Sequence, residues 1–298
     1  MFTPKLNLIL TPRSDEDSYT PDLNEATLAI LSLIFEFKIA STVHIARLTG
    51  HKDTGRYLYT KLRRLWQGGL LESLQLYQGT RIGMPTYYML SKMGLRVVGD
   101  YKHYDKLYLK TYPTPASFIS SGLFQHEAEI VELASLEAQA SSPELTISFL
   151  GEMGSQSREV RSDRRIEVLT PDYTVFYARN GIQETIYTEF ERTNKSTGAM
   201  MRKIERYERN LEQGEREHTT LRLIFDNERM EKAFWLNILL NKPQLTRNLR
   251  IVTTNLALVH TSEQFLELIY VGEESIKLKR DGRLVVEMMG RVKVFPFV

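Results

Sequence analysis

Three carboxylates are predicted to meet at one end of a β-hairpin, in the segment 171-PDYTVFYARNGIQETIYTEFER-192. Two β-like runs flank the dipeptide Asn180-Gly181, which favours a two-residue turn because both central positions need positive φ. Such a turn places Asp172 opposite Glu189. Glu191 follows Glu189 on the same face, since side chains along a strand alternate between its two faces.

Opposed carboxylates of this kind can do chemistry if they share a cation. Directly paired side chains have Cβ atoms about 5 Å apart, so two carboxylates repel unless a cation, a proton or solvent intervenes. Mg²⁺ prefers carboxylate oxygens and water as ligands, and a bound metal lowers the pKa of a water and polarises a phosphodiester. The hairpin therefore predicts either a divalent metal site or a solvated acidic face.

The opposite face of the hairpin is apolar and is expected to be buried. It is formed by Tyr173, Val175, Tyr177, Ile186 and Phe190.

Composition limits the class of protein. The 298 residues are 42% hydrophobic and 26% charged, which fits a globular protein of two domains. No apolar run approaches the roughly 18 residues that a membrane helix needs, and the N-terminus lacks an export pattern. The chain has no cysteine, which excludes disulfides, zinc–thiolate sites and thiol catalysis. We expect a cytoplasmic protein with no membrane partner.

Positive charge is concentrated in the first half of the chain. Residues 38–112 hold 13 Lys and Arg against 4 Asp and Glu, a net charge of +9, whereas the whole chain carries +2. This asymmetry favours double-stranded DNA as a partner of the first half. A surface that merely keeps the protein in solution is the alternative.

The first half has the element order of a winged helix-turn-helix, with three helices followed by two β-like runs. The first helix is expected to begin near Thr20-Pro21-Asp22. Ser41 is the expected cap of the second helix, which ends at Gly50. The predicted helices cover 23–38, 41–50, 53–67 and 91–101, and the predicted strands cover 70–77 and 85–90.

The third helix has the two faces that a DNA-reading helix needs. Its apolar face carries Leu58, Leu62 and Leu65. Arginines on the other face could reach phosphates or guanine edges, with short polar groups between them. The predicted DNA contacts are Arg56, Tyr57, Thr60, Lys61, Arg63 and Arg64, with Arg81 on the wing loop. Protein contacts or a solvated basic helix are the alternatives.

The second half alternates helices and strands, so the predicted class is α+β or α/β with a mixed sheet. Helices are expected over 123–140, 197–213 and 228–241, and strands over 145–151, 219–226 and 249–255. The tail after 256 is expected to add a helix and two or three strands. The predicted division is an arm over 1–20, a winged helix over 21–112, a linker over 113–122 and an α/β domain over 123–298.

The second half has the order helix, strand, hairpin, helix, strand, and it carries Pro171-Asp172 and 189-EFE-191 on paired strands. In these features it resembles the PD-(D/E)xK nuclease fold. The resemblance implies that Asp172 and Glu189 bind Mg²⁺ or Mn²⁺ in an active enzyme. It also implies a lysine in the third motif position, where this chain has Glu191. In an active enzyme Glu191 would orient the metal or the water. Lys203 on the next helix is the predicted substitute, which would stabilise charge on the phosphate.

Several alternatives accompany this assignment. Lys195 is a second candidate for the lysine, and Lys203 could instead belong to an exposed helix face of alternating charge. In nucleases of this fold a further acid often comes from the first helix of the core. Glu129 is the predicted metal ligand there, with Glu127 and Glu132 as alternatives. His126 is expected to pack against its neighbours or to cap a helix. For His44 the sequence indicates no evident partner.

Over residues 22–255 the chain has a winged helix, a linker, the early His126 and the pattern PD … E-x-(D/E)-R … K-x-x-x-Y. In these features it is similar to the replication-relaxation family. The pattern residues are Pro171, Asp172, Glu189, Glu191, Arg192, Lys203 and Tyr207. Members of this family occur on plasmids and integrated mobile elements. The resemblance implies a role in replication, transfer or control of such an element, with replication or transfer proteins as partners and a homodimer as a candidate assembly.

Three functions remain open at this point. One is a metal-dependent DNA endonuclease. Another is a non-catalytic transcriptional regulator or replication initiator whose nuclease fold is degenerate. The third is a protein-binding scaffold without salt-dependent affinity for DNA.

Overall fold

The computed structural model describes residues 7–12, 19–50, 56–77, 86–155, 157–160, 166–179, 181–192, 197–210, 219–241, 249–259, 274–278 and 284–288. The chain forms two compact units, Met1–Ser135 and Leu136–Val298. Antiparallel and mixed sheets stand beside helices, which confirms the α+β class.

The first unit follows the predicted order of helices and strands. Its elements are β1 (Asn7–Leu10), α1 (Glu25–Phe37), β2 (Ala40–Ser41), α2 (Thr42–Leu48), α3 (Arg56–Gln67), β3 (Leu71–Tyr77), β4 (Thr86–Leu90), α4 (Lys92–Lys102), α5 (Lys106–Leu109) and α6 (Pro115–Ser121).

Four antiparallel strands form the sheet of the first unit in the order β1-β3-β4-β2. In place of the loose arm expected over 1–20, Asn7–Leu10 pair with the outer edge of β3. The pairing satisfies backbone groups that an edge strand would otherwise leave to solvent.

Caps explain where the helices begin. The backbone N–H of His44 donates to Oγ of Ser41 at 3.3 Å, so the predicted cap of α2 is confirmed. Helix α1 is confirmed but begins about two residues after the predicted start near Thr20-Pro21-Asp22, because Asn24 caps it and its Oδ1 accepts from Thr27 N at 3.0 Å.

Most of the linker expected over 113–122 is helical. Thr114 caps α6, its Oγ1 accepting from Ser117 N at 3.2 Å, and Pro115 occupies the first turn. A proline suits that position because its missing N–H has no partner there in any helix. The two units divide further along, between Ser135 and Leu136.

The boundary between the units falls within α7 (Leu123–Ala138). The second unit continues with β5 (Thr146–Gly151), β6 (Ser157–Val160), β7 (Ile166–Leu169), β8 (Tyr173–Arg179), β9 (Ile182–Glu191), α8 (Thr197–Asn210), β10 (Thr219–Phe225), α9 (Glu228–Asn241), β11 (Arg250–Asn255), β12 (Glu274–Leu278) and β13 (Leu284–Met288).

A five-stranded mixed sheet organises the second unit, in the order β11-β10-β9-β8-β5. Strands β9, β10 and β11 are parallel, whereas β5, β8 and β9 are antiparallel. Parallel neighbours need crossover connections, and α8 and α9 provide them. Strands β6–β7 and β12–β13 form two separate antiparallel pairs.

Helices α8 and α9 share a hydrophobic core with the sheet. It contains Leu169, Met200, Met201, Ile204, Tyr207, Leu221, Leu223, Phe225, Phe234, Trp235, Ile238, Leu249 and Ile251. Within the described part of the chain, no helix combines the length and the apolar character that crossing a membrane requires.

Candidate functional sites

The β8–β9 hairpin has the predicted register. Arg179 pairs with Ile182, and Tyr173 pairs with Thr188 at the other end. Gly181 has φ +81°, as the turn requires, whereas Asn180 lies outside the described residues. This register sets the carboxyl-bearing ends of the two strands side by side.

Both faces of the hairpin are buried at its acidic end, whereas the end near the turn is exposed. On the predicted apolar face, each residue is at most 2% exposed. These residues are Tyr173, Val175, Tyr177, Ile186 and Phe190. Glu189 and Glu191, on the other face, are 1% and 0% exposed. A solvated acidic face is therefore excluded for these two residues, and their carboxyl groups need partners inside the protein.

Helix α8 supplies the partners. Nζ of Lys203 contacts Oε2 of Glu189 and lies 2.9 Å from Oε1 of Glu191. The Tyr207 hydroxyl donates to Oε1 of Glu189 at 2.5 Å. Oδ2 of Asp172 accepts from the backbone N–H of Phe190 at 2.5 Å. These three acids, with Lys203 and Tyr207, are called the carboxyl cluster below.

Burial and neighbouring charges shift the pKa values of the carboxyl cluster. Burial raises the pKa of Glu189 to about 8, and the charge of Asp172 adds to the rise. Burial alone would lower the pKa of Lys203, but Glu189, Glu191 and Asp172 together raise it above its ordinary value. The cluster thus places an ammonium ion among carboxyl groups whose mutual repulsion it offsets.

This arrangement does not fit Mg²⁺ or Mn²⁺. A divalent metal needs carboxylate oxygens for coordination, yet both oxygens of Glu189 and Oε1 of Glu191 accept from Lys203 or Tyr207. The ammonium ion also repels a second cation at close range. Among the described residues, no three His, Cys, Asp or Glu side chains are grouped as a metal site requires.

The acids expected from α7 have partners within the first unit. Gln125 donates to Oε1 of Glu129 at 3.3 Å. Nζ of Lys38 lies 2.8 Å from Oε1 of Glu127, and both side chains are at most 10% exposed. Lys195, the other predicted source of a lysine, lies outside the described residues.

His44 has a partner that the sequence does not reveal. Its Nδ1 accepts from Ser41 N at 3.2 Å, which leaves the proton on Nε2 to donate to Oε2 of Glu132 at 2.8 Å. Arg47 lies 3.0 Å from the other oxygen of Glu132. The hydrogen bond from His44, followed by the effect of Arg47, lowers the pKa of Glu132. This group therefore fixes α2 rather than binding a metal.

Another buried ion pair lies on the other side of the five-stranded sheet, and no motif predicts it. Arg222 on β10 makes two hydrogen bonds of 2.7 Å to Glu137, and both side chains are 0% exposed. The hydroxyls of Tyr173 and Tyr177 also donate to Glu137, and Thr188 accepts from Arg222. An arginine inside the apolar run 219-TTLRLIFD-226 is the one sequence signal for this pair.

Helix α3 presents the predicted basic surface. Leu58, Leu62 and Leu65 are buried, as their spacing predicts. The residues on the other face are exposed or half-buried, and Tyr57 is 71% exposed. They are Arg56, Tyr57, Thr60, Lys61, Arg63 and Arg64, called the α3 surface below. Arg81 lies outside the described residues.

The cations of the α3 surface lack anionic partners within the described part of the chain. No carboxylate there forms an ion pair with Arg56, Lys61, Arg63 or Arg64. The guanidinium of Arg64 lies over the Tyr19 ring, 5.6 Å from its centroid. The surface therefore offers positive charge to an external anion.

The model of the replication-relaxation family matches residues 31–222, which is more than half of the chain. The chain belongs to the replication-relaxation family. This membership connects it with the replication or relaxation of plasmids and mobile elements. Comparison with curated proteins and with solved structures gives no match.

The match to the replication-relaxation family includes both candidate sites, since α3 and the whole carboxyl cluster lie between residues 31 and 222. Lys203 and Tyr207, from the K-x-x-x-Y pattern, contact the acids of β9. His126 is half-buried on the part of α7 that belongs to the first unit.

Proposed function

We propose that this protein binds double-stranded DNA through the α3 surface and serves the replication of a plasmid or mobile element as a non-catalytic regulator or initiator. The α3 cations, which form no ion pair with any described residue, carry the proposal. Phosphates attract such cations strongly, and guanine edges accept from arginine in the major groove.

The topology of the first unit supports a winged helix. Its elements follow the order α1-β2-α2-α3-β3-β4, and β2 pairs with β4 beside β3. In a winged helix this order places α3 for the major groove, while the loop between β3 and β4 forms the wing. Arg81 falls in that loop by its number, so it is the proposed contact outside α3.

The second unit supports a nuclease-type fold that has lost its metal chemistry. The order α7-β5-β8-β9-α8-β10 is that of the PD-(D/E)xK resemblance, with β6–β7 inserted after β5. The lysine in the carboxyl cluster engages the oxygens that a metal would need. We therefore assign the second unit a binding or assembly role.

Metal-dependent cleavage is the second candidate function. One observation favours it, namely that Asp172 lies beside the end of β9 that carries Glu189, as the nuclease motif requires. The same residues with Mg²⁺ or Mn²⁺ would then be the catalytic centre, with Lys203 near the phosphate.

The experiment for the proposed function compares DNA binding by wild type and by the variant Arg56→Ala/Arg64→Ala over a range of salt concentrations. Each phosphate contact contributes about 0.9 to the slope of log K against log salt, so the slope should fall by up to about 1.8 and the affinity should drop. Lys102→Ala/Lys110→Ala is the matched control, since it removes the same charge from exposed positions outside α3. Unchanged binding by the α3 variant would contradict the proposal.

A further inference from the structure

Two donors on α8 cover two acceptors on β9. Lys203 and Tyr207 are four residues apart on the helix and therefore lie on the same side, one turn apart. Glu189 and Glu191 are two residues apart on the strand and share a face. The helix is thus placed to present a cation and a hydroxyl to the two buried carboxyl groups.

Asp172 adds a third carboxyl group at the same place. Its backbone precedes β8, and its Oδ2 accepts from the N–H of Phe190, between the two glutamates of β9. A hard divalent cation such as Mg²⁺ is usually held by one or two protein carboxylates and several waters, so Glu189 and Glu191 would be enough to bind one and Asp172 would add a nearby negative charge. Lys203, whose side chain is 25% exposed, contacts both glutamates.

We propose that the Lys203 ammonium ion is a built-in cation that takes the place of a divalent metal, and that its removal turns the carboxyl cluster into a divalent-cation site. A metal and the ammonium ion compete for the same oxygens of Glu189 and Glu191, so one excludes the other. This inference concerns the second unit alone and does not depend on DNA binding by α3.

The test measures Mn²⁺ binding to the full-length protein, by the paramagnetic resonance signal of free Mn²⁺ and by the midpoint of thermal unfolding. Wild type should leave the signal and the midpoint unchanged. Lys203→Met should be less stable in EDTA, should bind Mn²⁺, and should gain several degrees in its midpoint, because a ligand that binds the folded state stabilises it. Asp172→Asn/Lys203→Met should lose this response.

Lys232→Met is the matched control, because Lys232 pairs with the exposed Glu228 on α9 and lies outside the cluster. It should show no response to Mn²⁺. If Lys203→Met fails to fold in EDTA, Lys203→Gln takes its place, because glutamine keeps a hydrogen-bond donor. The same binding of Mn²⁺ and the same rise in the unfolding midpoint are expected. Binding of Mn²⁺ by wild type that is lost in Asp172→Asn would overturn the proposal, as would folded Lys203 variants without any response. Neither outcome alters the test of the α3 surface.

Discussion

Nζ of Lys203 lies 2.9 Å from Oε1 of Glu191, so a lysine on helix α8 pairs with the acid at the position where the resemblance to the PD-(D/E)xK fold would place a lysine. The positive charge is thus supplied by the helix, and the strand supplies an extra acid. A buried acid that loses its partner costs about 3–5 kcal/mol. The pairing of Lys203 with Glu191 therefore explains how a buried glutamate is tolerated at this position and why the lysine lies on helix α8.

Stability should depend on pH through Glu189. Its pKa is about 8 in the folded protein, against an ordinary value of 4.5. Between these values the folded state holds a proton that the unfolded state has released, so the free energy of unfolding should fall as pH rises from about 4.5 to about 8. The fall is at most about 1.4 kcal/mol per pH unit. Urea unfolding at several pH values measures it.

Asp172→Asn tests the cause of this pH dependence. Burial is the larger cause of the raised pKa of Glu189, and the variant removes the charge of Asp172 that adds to it, while its side-chain oxygen can still accept from Phe190 N. The loss of stability toward pH 8 should therefore become shallower, and thermal stability in metal-free buffer should rise. Asp226→Asn, at an exposed position, is the control. Strong destabilisation by Asp172→Asn would mean that its charge is structural.

The Arg222–Glu137 pair should behave as a single unit. Arg222→Met leaves a fully buried carboxylate without its cation and should cost about 3–5 kcal/mol. Adding Glu137→Gln keeps an acceptor oxygen for one of the two tyrosine hydroxyls and removes the charge, so the double variant should recover part of the loss. A double-mutant cycle by urea unfolding measures the coupling. Additive costs would show that the two side chains act independently.

Local signals allowed most elements to be predicted. The Asn-Gly dipeptide fixes the register of β8 and β9, because a two-residue turn leaves one pairing scheme. The spacing of Leu58, Leu62 and Leu65 identifies the buried side of α3, and Ser41 marks the start of α2. Each of these features depends on neighbours in the sequence.

Contacts between distant residues were harder to predict. Glu137 and Arg222 are 85 residues apart, and His44 and Glu132 are 88 apart, so no local pattern links them. The sequence identifies Lys203 as a source of positive charge. It does not predict that the partners of Lys203 are buried, because that burial results from the packing of helix α8 on the sheet. Strand β1 was missed because its pairing depends on the free edge of β3.

Cleavage of supercoiled plasmid with Mg²⁺ or Mn²⁺, measured beside a gel shift on the same samples, tests the central claim most directly. A DNA-binding protein whose carboxyl cluster holds Lys203 in place of a metal should shift the DNA and leave the plasmid supercoiled. Metal-dependent nicking by wild type that is lost in Asp172→Ala/Glu189→Ala would contradict this account and make the protein a nuclease.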